Sequence, residues 1–236
     1  MTNFQNSQGR KVVLALVQTI VDNKAYLSEV DGKIGDGDHG INMAKGFNLI
    51  KDRLGDKEVS LSEGLGLIGK TLMTEIGGSM GPLYGTFFIQ MSLKAKDRPE
   101  TDARLFGEML KAARDGLEDI GGAKVGDKTL MDAVIPAQQT YQAAADAGAS
   151  LQEALKKMAD AAEKGKDSTV DLVAKIGRSA RLGERSRGVL DAGATSLHSF
   201  CRRSPECFRS SANRKGVQSS VWDQRTITDA PFFTPR

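Results

Sequence analysis

The chain has few cysteines and no long apolar run, and each absence excludes a class of protein. Its 236 residues contain two cysteines, Cys201 and Cys207, which are too few for a disulfide framework or a four-cysteine zinc site. No stretch approaches the ~18 uninterrupted apolar residues of a membrane-spanning helix. Residues 1–10 are polar and lack the apolar core of a signal peptide. We therefore expect a cytoplasmic protein without a membrane span.

The chain also lacks a strong excess of charge of one sign. It has 33 basic and 30 acidic residues, and a net charge of +3 is too small to indicate direct binding of nucleic acid. The basic excess lies in residues 199–236, which hold seven basic and three acidic residues and both cysteines. We expect one domain over residues 1–198 and an irregular basic tail over residues 199–236 that is foreign to it. The alternative is a genuine basic interaction arm.

Alternating polar and apolar residues, the pattern of exposed strands, are rare, whereas helical spacing is common. Apolar residues recur at this spacing in residues 12–27, 65–76, 83–93 and 105–117, and residues 130–147 and 151–164 are rich in helix formers. Ser60 and Glu63 form a capping-box pattern. Candidate N-caps are Asp102, Ser150 and Ser168, and candidate helix stops are Gly55, Gly121, Gly148 and Gly177. The pattern predicts an all-α fold of seven or eight helices of bundle length.

Glycine is the residue in excess. The chain has 26 glycines, more than the ~7% that is usual, and 20 of them lie within residues 32–46, 64–85, 116–126 and 177–193. In an up-and-down bundle, alternate loops fall at the same end. Loops near residues 31–40, 77–81, 121–128 and 177–193 would then form one site. The alternative is that each glycine only ends a helix.

The most informative segment is D-G-K-I-G-D-G-D-H-G-I-N, residues 31–42. It places Asp31, Asp36 and Asp38 in a glycine-rich loop directly before a predicted helix. Carboxylates held a few ångströms apart repel one another, and an oxygen-seeking cation such as Mg²⁺ removes that repulsion. The segment therefore favours a metal site over the alternative, a solvated acidic turn.

Two better-known signatures also match and are rejected. Gly35, Gly37 and Gly40 spell G-x-G-x-x-G, but a helix precedes them where a dinucleotide site requires a strand. Residues 64–71 spell G-x-x-x-x-G-K-T, but their leucines and isoleucine continue a helical pattern. Neither a dinucleotide-binding fold nor a P-loop is expected.

Two further glycine-rich segments carry groups suited to phosphate. Residues 77–85, G-G-S-M-G-P-L-Y-G, end one helix and begin the next, whose free N–H groups would face an anion; an ordinary helix connection is the alternative. Residues 177–196 contain arginines that can bind phosphate bidentately, although exposed arginines are commonly just solvated. We interpret His39 as a ligand contact rather than a member of a catalytic triad.

These segments, with G-D-K-T-L-M-D-A and L-G-E-R-S-R-G-V-L-D-A-G-A-T-S, resemble the nucleotide-binding L subunits of dihydroxyacetone kinases from about residue 5 to residue 197. The resemblance implies an up-and-down antiparallel barrel of eight helices with ADP or ATP at one end. It implies two Mg²⁺ ions held by Asp31, Asp36 and Asp38. The residues that it places around the nucleotide are His39, Gly40, Ile41, Asn42, Ser79, Met80, Gly122, Met131, Arg178, Asp191, Ala192 and Gly193.

The resemblance also implies an activity that needs no protein nucleophile. A phosphocarrier M subunit, supplied by phosphoenolpyruvate, would phosphorylate the bound ADP, and the phosphoryl group would pass to dihydroxyacetone on a K subunit. A homodimer is expected. Alternatives are the nucleotide domain of an ATP-dependent kinase, of the dihydroxyacetone or fatty-acid type, and a module that reports its nucleotide state to a transcription regulator.

Overall fold

The computed structural model describes residues 3–209, and helices dominate that part of the chain, which confirms the all-α prediction. Its α-helices are α1 (Gly9–Asp22), α2 (Lys24–Gly32), α3 (His39–Leu54), α4 (Leu61–Glu75), α5 (Met80–Ala95), α6 (Ala103–Gly121), α7 (Met131–Asp146), α8 (Leu151–Ser168) and α9 (Ala192–Cys207). Short 3-10 turns cover Asn6–Gln8, Thr169–Asp171 and Arg178–Ser186. A two-residue strand that was not predicted, β1 (Phe4–Gln5), pairs antiparallel with β2 (Glu100–Thr101).

Nine α-helices lie within residues 3–209, more than the seven or eight predicted, because one expected helix is two. The apolar spacing over residues 12–27 continues across Asn23, where the backbone turns (φ −94°, ψ 5°). The Asn23 amide donates a hydrogen bond of 2.8 Å to the carbonyl oxygen of Thr19, which ends α1. An asparagine that bonds its own preceding turn competes with helix continuation. Ser168 is a second departure, since it closes α8 rather than capping a new α-helix.

The predicted capping box at the start of α4 is confirmed. The Ser60 hydroxyl accepts from the backbone N–H of Glu63 at 3.2 Å, and the Glu63 carboxylate accepts from that of Ser60 at 2.7 Å. The P-loop-like pattern therefore lies inside a helix. A Cβ on Gly69 would lie 2.8 Å from the carbonyl oxygen of Gly85 in α5. This glycine allows α4 and α5 to pack closely and forms no phosphate loop.

The helices pack in a closed circuit around one hydrophobic core. The circuit runs from α1 through α4, α5, α6, α7, α8 and α9 back to α1, and α3 packs on α1, α2 and α4. Large buried side chains such as Phe47, Tyr84, Phe106 and Tyr141 fill the core. The four glycine-rich loops join α2 to α3, α4 to α5, α6 to α7 and α8 to α9, which is every second connection. None of the helices within residues 3–209 has the length and hydropathy needed to cross a bilayer.

The last helix extends beyond the boundary expected at residue 198. α9 continues to Cys207, so the final helix is not truncated at His198, and residues 199–207 are helical rather than irregular. Phe200 packs its ring 5.4 Å from that of Phe88, and Phe208 lies 4.9 Å from Phe4. The buried face of this part of α9 includes Phe200, Cys201 and Cys207. The two cysteines fit there because free cysteine packs as a small apolar residue. The rest of the expected tail, residues 210–236, lies outside the described residues.

The extension of α9 predicts a stability effect. Phe200→Ala removes a buried ring and should lower the free energy of unfolding by about 3–5 kcal/mol. Arg202→Ala, on the exposed face of the same helix, should change it by less than about 0.5 kcal/mol. Urea unfolding of both variants checks this. Equal, small effects would mean that residues 199–207 do not belong to the core.

Candidate metal and nucleotide site

Three carboxylates meet at the junction of α2 and α3. Asp31 lies in the last turn of α2, Asp36 lies in the loop, and Asp38 immediately precedes α3. One oxygen from each lies within 4.8 Å of the others. Gly37 separates the last two aspartates and has a φ of +75°, a conformation that side chains rarely adopt. Three converging carboxylate oxygens suit a hard divalent cation such as Mg²⁺.

Backbone hydrogen bonds hold this loop in place. The N–H groups of Ile34 and Gly35 donate to the carbonyl oxygen of Asp31 at 3.1 and 2.6 Å. The N–H of His39, in the first turn of α3, donates to Asp31 Oδ2 at 3.3 Å. A Cβ on Gly35 would overlap the Asp31 carboxylate, so only glycine fits there. Asp31 is therefore fixed between the end of one helix and the start of the next.

The loop between α8 and α9 reaches the aspartates. Arg178 forms an ion pair with Asp36, and the Ser179 hydroxyl donates to the carbonyl oxygen of Ile34 at 3.1 Å. The guanidinium offsets part of the charge that the three carboxylates concentrate. Arg178, predicted to meet the nucleotide, thus lies directly beside the predicted metal ligands.

A buried hydrogen-bonded chain connects α3, α9 and α5. His39 Nε2 lies 2.9 Å from Ser196 Oγ, which lies 2.5 Å from the Tyr84 hydroxyl. The same hydroxyl lies 3.1 Å from the carbonyl oxygen of Gly193. Burial lowers the pKa of His39 to about 4, although the charge of Asp31 acts in the opposite direction. The imidazole is therefore neutral at pH 7.

The loop between α6 and α7 packs against the start of α9. Asp132 accepts from the N–H groups of Gly126 and Thr129 at 2.6 and 2.7 Å, which closes the loop. Lys128 is buried and donates to the carbonyl oxygens of Thr169 and Val189, both at 2.5 Å. These bonds tie the loop to both ends of the connection between α8 and α9.

Asp191 immediately precedes α9 and caps its first turn. Its carboxylate accepts from the N–H of Ala194 at 2.7 Å, and its own N–H donates to Thr169 Oγ1 at 3.0 Å. Burial raises the pKa of Asp191 to about 6; the charges of Asp132 and Asp31 also raise it, and that of Lys128 opposes them. A carboxylate in this position can accept a hydrogen bond from a ligand hydroxyl.

The other residues predicted for the nucleotide site differ in exposure. Ser79 precedes α5, is exposed and makes no side-chain cap bond, so its hydroxyl is available, and Met80 begins the helix. Gly40 is buried where α3 packs on α2. The helices approach so closely that a Cβ on Gly40 would overlap the carbonyl oxygen of Lys24. Ile41 is 53% exposed. The remaining predicted residues in the first turns of α3 and α9 are Asn42, Ala192 and Gly193.

Two predicted residues lie at the connection between α6 and α7. Met131 is fully buried at the start of α7, and Gly122 is an exposed left-handed cap at the end of α6 (φ +59°). No hydrogen bond or ion pair among residues 3–209 joins either residue to the aspartate cluster. Leu130, directly before Met131, packs on the first turn of α9, since a Cβ on Gly193 would lie 3.3 Å from the Cβ of Leu130.

Sequence reasoning missed the residues that connect the loops. Tyr84, Lys128, Asp132 and Ser196 all lie in the glycine-rich motifs, yet no role was assigned to them. Their partners are far away in the sequence: Tyr84 and Ser196 are 112 residues apart. The available signal was the presence of a lysine, a tyrosine and an aspartate inside otherwise small-residue segments.

A second concave region lies between α7 and α8. It encloses about 510 Å³, and its lining includes Asp132, Lys157, Asp160 and Lys164. It contains none of the three clustered aspartates. It lacks a converging set of carboxylates, so the aspartate cluster is the stronger candidate for a metal site.

Comparison with known proteins identifies the family of the chain. The family model of the DAK2 domain matches residues 33–203, and the chain belongs to this family. The chain is 36% identical over 175 residues to the ADP-binding subunit DhaL of the PEP-dependent dihydroxyacetone kinase of Escherichia coli, with 73% of this chain and 82% of that protein covered. It is 34% identical over 199 residues to a D-erythrulose kinase of Mycolicibacterium smegmatis, with 82% of this chain but 34% of that protein covered.

A solved structure supports the fold. The dihydroxyacetone kinase of C. freundii in complex with AMP-PNP and Mg²⁺ superposes with a TM-score of 0.63 at 25% identity. The match covers 87% of this chain and 35% of that one. The helical domain described here therefore corresponds to part of a larger kinase chain.

The environment of Asp191 predicts a pH effect. Its raised pKa means that the folded state holds this proton more tightly than the unfolded state, whose aspartates titrate near pH ~3.9. Stability relative to Asp191→Asn should therefore fall as the pH rises from about 4 to about 6. Asparagine keeps the helix-capping acceptor. Urea unfolding of both proteins without nucleotide or metal checks this, and a difference that does not change with pH would contradict it.

Proposed function

We propose that the chain is the ADP-binding subunit of a phosphoenolpyruvate-dependent dihydroxyacetone kinase. The observation that carries the proposal is the convergence of Asp31, Asp36 and Asp38 within 4.8 Å, directly before the start of α3 and beside Arg178. Carboxylates, a helix N-terminus and an arginine together suit a metal-bound diphosphate. The similarity to DhaL supplies the substrate class.

The proposed nucleotide lies across the ends of α3, α5, α7 and α9. Its phosphates meet the first turn of α3 at His39, Gly40, Ile41 and Asn42, and the start of α5 at Ser79 and Met80. Gly122 and Met131 line the adenine pocket. Asp191 binds a ribose hydroxyl, and Arg178, Ala192 and Gly193 close over the nucleotide. The exposed hydroxyl of Ser79 and the position of the Asp191 carboxylate at the N-terminus of α9 support these assignments.

We also propose two Mg²⁺ ions, held by the three aspartates and by the phosphate oxygens. Three carboxylates and a diphosphate carry more negative charge than one divalent ion neutralises. When bound, the ions supply electrostatic stabilisation of the transferring phosphoryl group. The protein's own residues orient the nucleotide and exclude water, and none of them acts as a nucleophile.

In the proposed reaction, a phosphohistidine on a phosphocarrier M subunit gives its phosphoryl group to ADP. The resulting ATP passes the γ-phosphoryl group to a hydroxyl of dihydroxyacetone held by a K subunit, and ADP is regenerated. The proposal includes a cytoplasmic location, a homodimer, and an antiparallel up-and-down barrel as the scaffold. The closed circuit of helices around one core supports the last point.

A second candidate function is the nucleotide domain of an ATP-dependent kinase. The observation that favours it is the match to about a third of the length of a D-erythrulose kinase, so that protein has further sequence beyond the matched region. A regulatory role, in which the nucleotide state is read by a transcription regulator, is compatible with either activity.

The metal assignment predicts that Asp36→Asn abolishes retention of ADP in Mg²⁺ buffer. The change removes one of three ligand charges and leaves the loop glycines intact. Asp52→Asn, exposed near the other end of α3, is the matched control and should retain ADP like the unaltered protein. Native mass spectrometry of all three proteins gives the readout. Full retention by Asp36→Asn would remove this residue from the metal site.

The donor can be identified by a phosphotransfer assay. With a K subunit and dihydroxyacetone present, the protein should form dihydroxyacetone phosphate when given a phosphorylated carrier. Free ATP should support a much slower reaction, because bound ADP would have to exchange. Rapid turnover with ATP and none with the carrier would favour the ATP-dependent kinase instead.

A further inference from the structure

The hydrogen-bonded side chains of Tyr84, Ser196 and His39 determine where the proton of the His39 ring lies. Each hydroxyl has one proton, and a neutral imidazole has one N–H and one bare nitrogen. The distances from Ser196 Oγ are 2.5 Å to the Tyr84 hydroxyl, 2.9 Å to His39 Nε2, 3.1 Å to the carbonyl oxygen of Ala192 and 3.2 Å to that of Gly193. The direction of donation decides which ring nitrogen carries the proton.

Tyr84 donates to Ser196. A phenol is the more acidic hydroxyl and the weaker acceptor, so its proton goes to the aliphatic oxygen when the two are in contact. The distance of 2.5 Å, compared with 3.1 Å from the Tyr84 hydroxyl to the carbonyl oxygen of Gly193, agrees with that choice. Both side chains lie in the core, where water does not compete for these protons.

Ser196 in turn donates to His39. Its proton has three acceptors within reach, of which Nε2 is the nearest. A neutral imidazole nitrogen is also a stronger acceptor than a carbonyl oxygen. His39 Nε2 is then the bare nitrogen, and the ring proton lies on Nδ1.

We propose that Tyr84 and Ser196 are positioning residues that hold the proton of the neutral His39 ring on Nδ1, so that the ring offers a hydrogen-bond donor to an anionic ligand. No hydrogen bond from Nδ1 is present within residues 3–209, which leaves this N–H for the ligand. The reverse tautomer would leave a lone pair on Nδ1, which repels an anionic ligand. The benefit to phosphate binding rests on the proposed function, whereas the tautomer itself does not.

The direct test is NMR of histidine-labelled, nucleotide-free protein at pH 8, where an ordinary imidazole is neutral. The chain has two histidines, His39 and His198, and the His198→Gln variant assigns their signals. The expected result is a protonated Nδ1 and a bare Nε2 for His39. A protonated Nε2 in the unaltered protein would overturn the proposal without any variant of the chain.

The positioning role is tested with Ser196→Ala. Removal of the donor should let the ring move toward the Nε2–H tautomer, and ADP affinity in Mg²⁺ should fall about tenfold, the usual effect of losing a hydrogen bond to a charged group. Ser199→Ala is the matched control, since Ser199 lies in α9 and bonds only the carbonyl oxygen of Thr195. It should leave the His39 signals and ADP affinity unchanged.

Tyr84→Phe is the second variant, in case Ser196→Ala does not fold. It should give a mixture of His39 tautomers, because Ser196, without the hydrogen bond from Tyr84, can also donate to the carbonyl oxygens of Ala192 and Gly193. If a variant folds and His39 Nδ1 stays fully protonated, the altered residue does not position the ring proton. If the unaltered protein shows the Nδ1–H ring but does not bind ADP, the proposed function fails and the tautomer assignment stands.

Discussion

The site depends on the electrostatic cost of holding Asp31, Asp36 and Asp38 together. Two like charges ~4 Å apart repel by about 4 kcal/mol at an effective dielectric constant near 20, and three carboxylate oxygens lie within 4.8 Å here. Glycines and backbone hydrogen bonds fix the loop so that it cannot spread. A cation beside the cluster lowers this cost, and Arg178 supplies one positive charge through its ion pair with Asp36. The acidic loop is a candidate ion site because its geometry concentrates charge.

The remaining loops are organised around this cluster by a few polar contacts. Arg178 joins the segment before α9 to the aspartates, and His39 joins them to Ser196 and Tyr84. Lys128 fixes the loop before α7 to the same segment. These contacts connect the loops before α3, α7 and α9 with one another and with α5. Under the proposed function, this arrangement supplies the positioning and charge neutralisation that phosphoryl transfer mainly requires.

Local chemistry made much of this predictable, and distant contacts limited the rest. The capping box of Ser60 and Glu63 and the aspartate loop are short-range patterns, so the sequence contains them directly. The helix break at Asn23 depends on one side-chain bond to the preceding turn. The extension of α9 past His198 depends on what Phe200 packs against, which no local pattern reveals. The partnership of Ser196 with residues of α3 and α5 likewise requires the folded chain.

The most direct test of the central claim is a crystal structure of the protein with Mn²⁺ and ADP, with manganese located by its anomalous scattering. We expect manganese between the three aspartates and the ADP phosphates at the starts of α3 and α5. Manganese or ADP in the concave region between α7 and α8, with the aspartates free of metal, would contradict the proposed site.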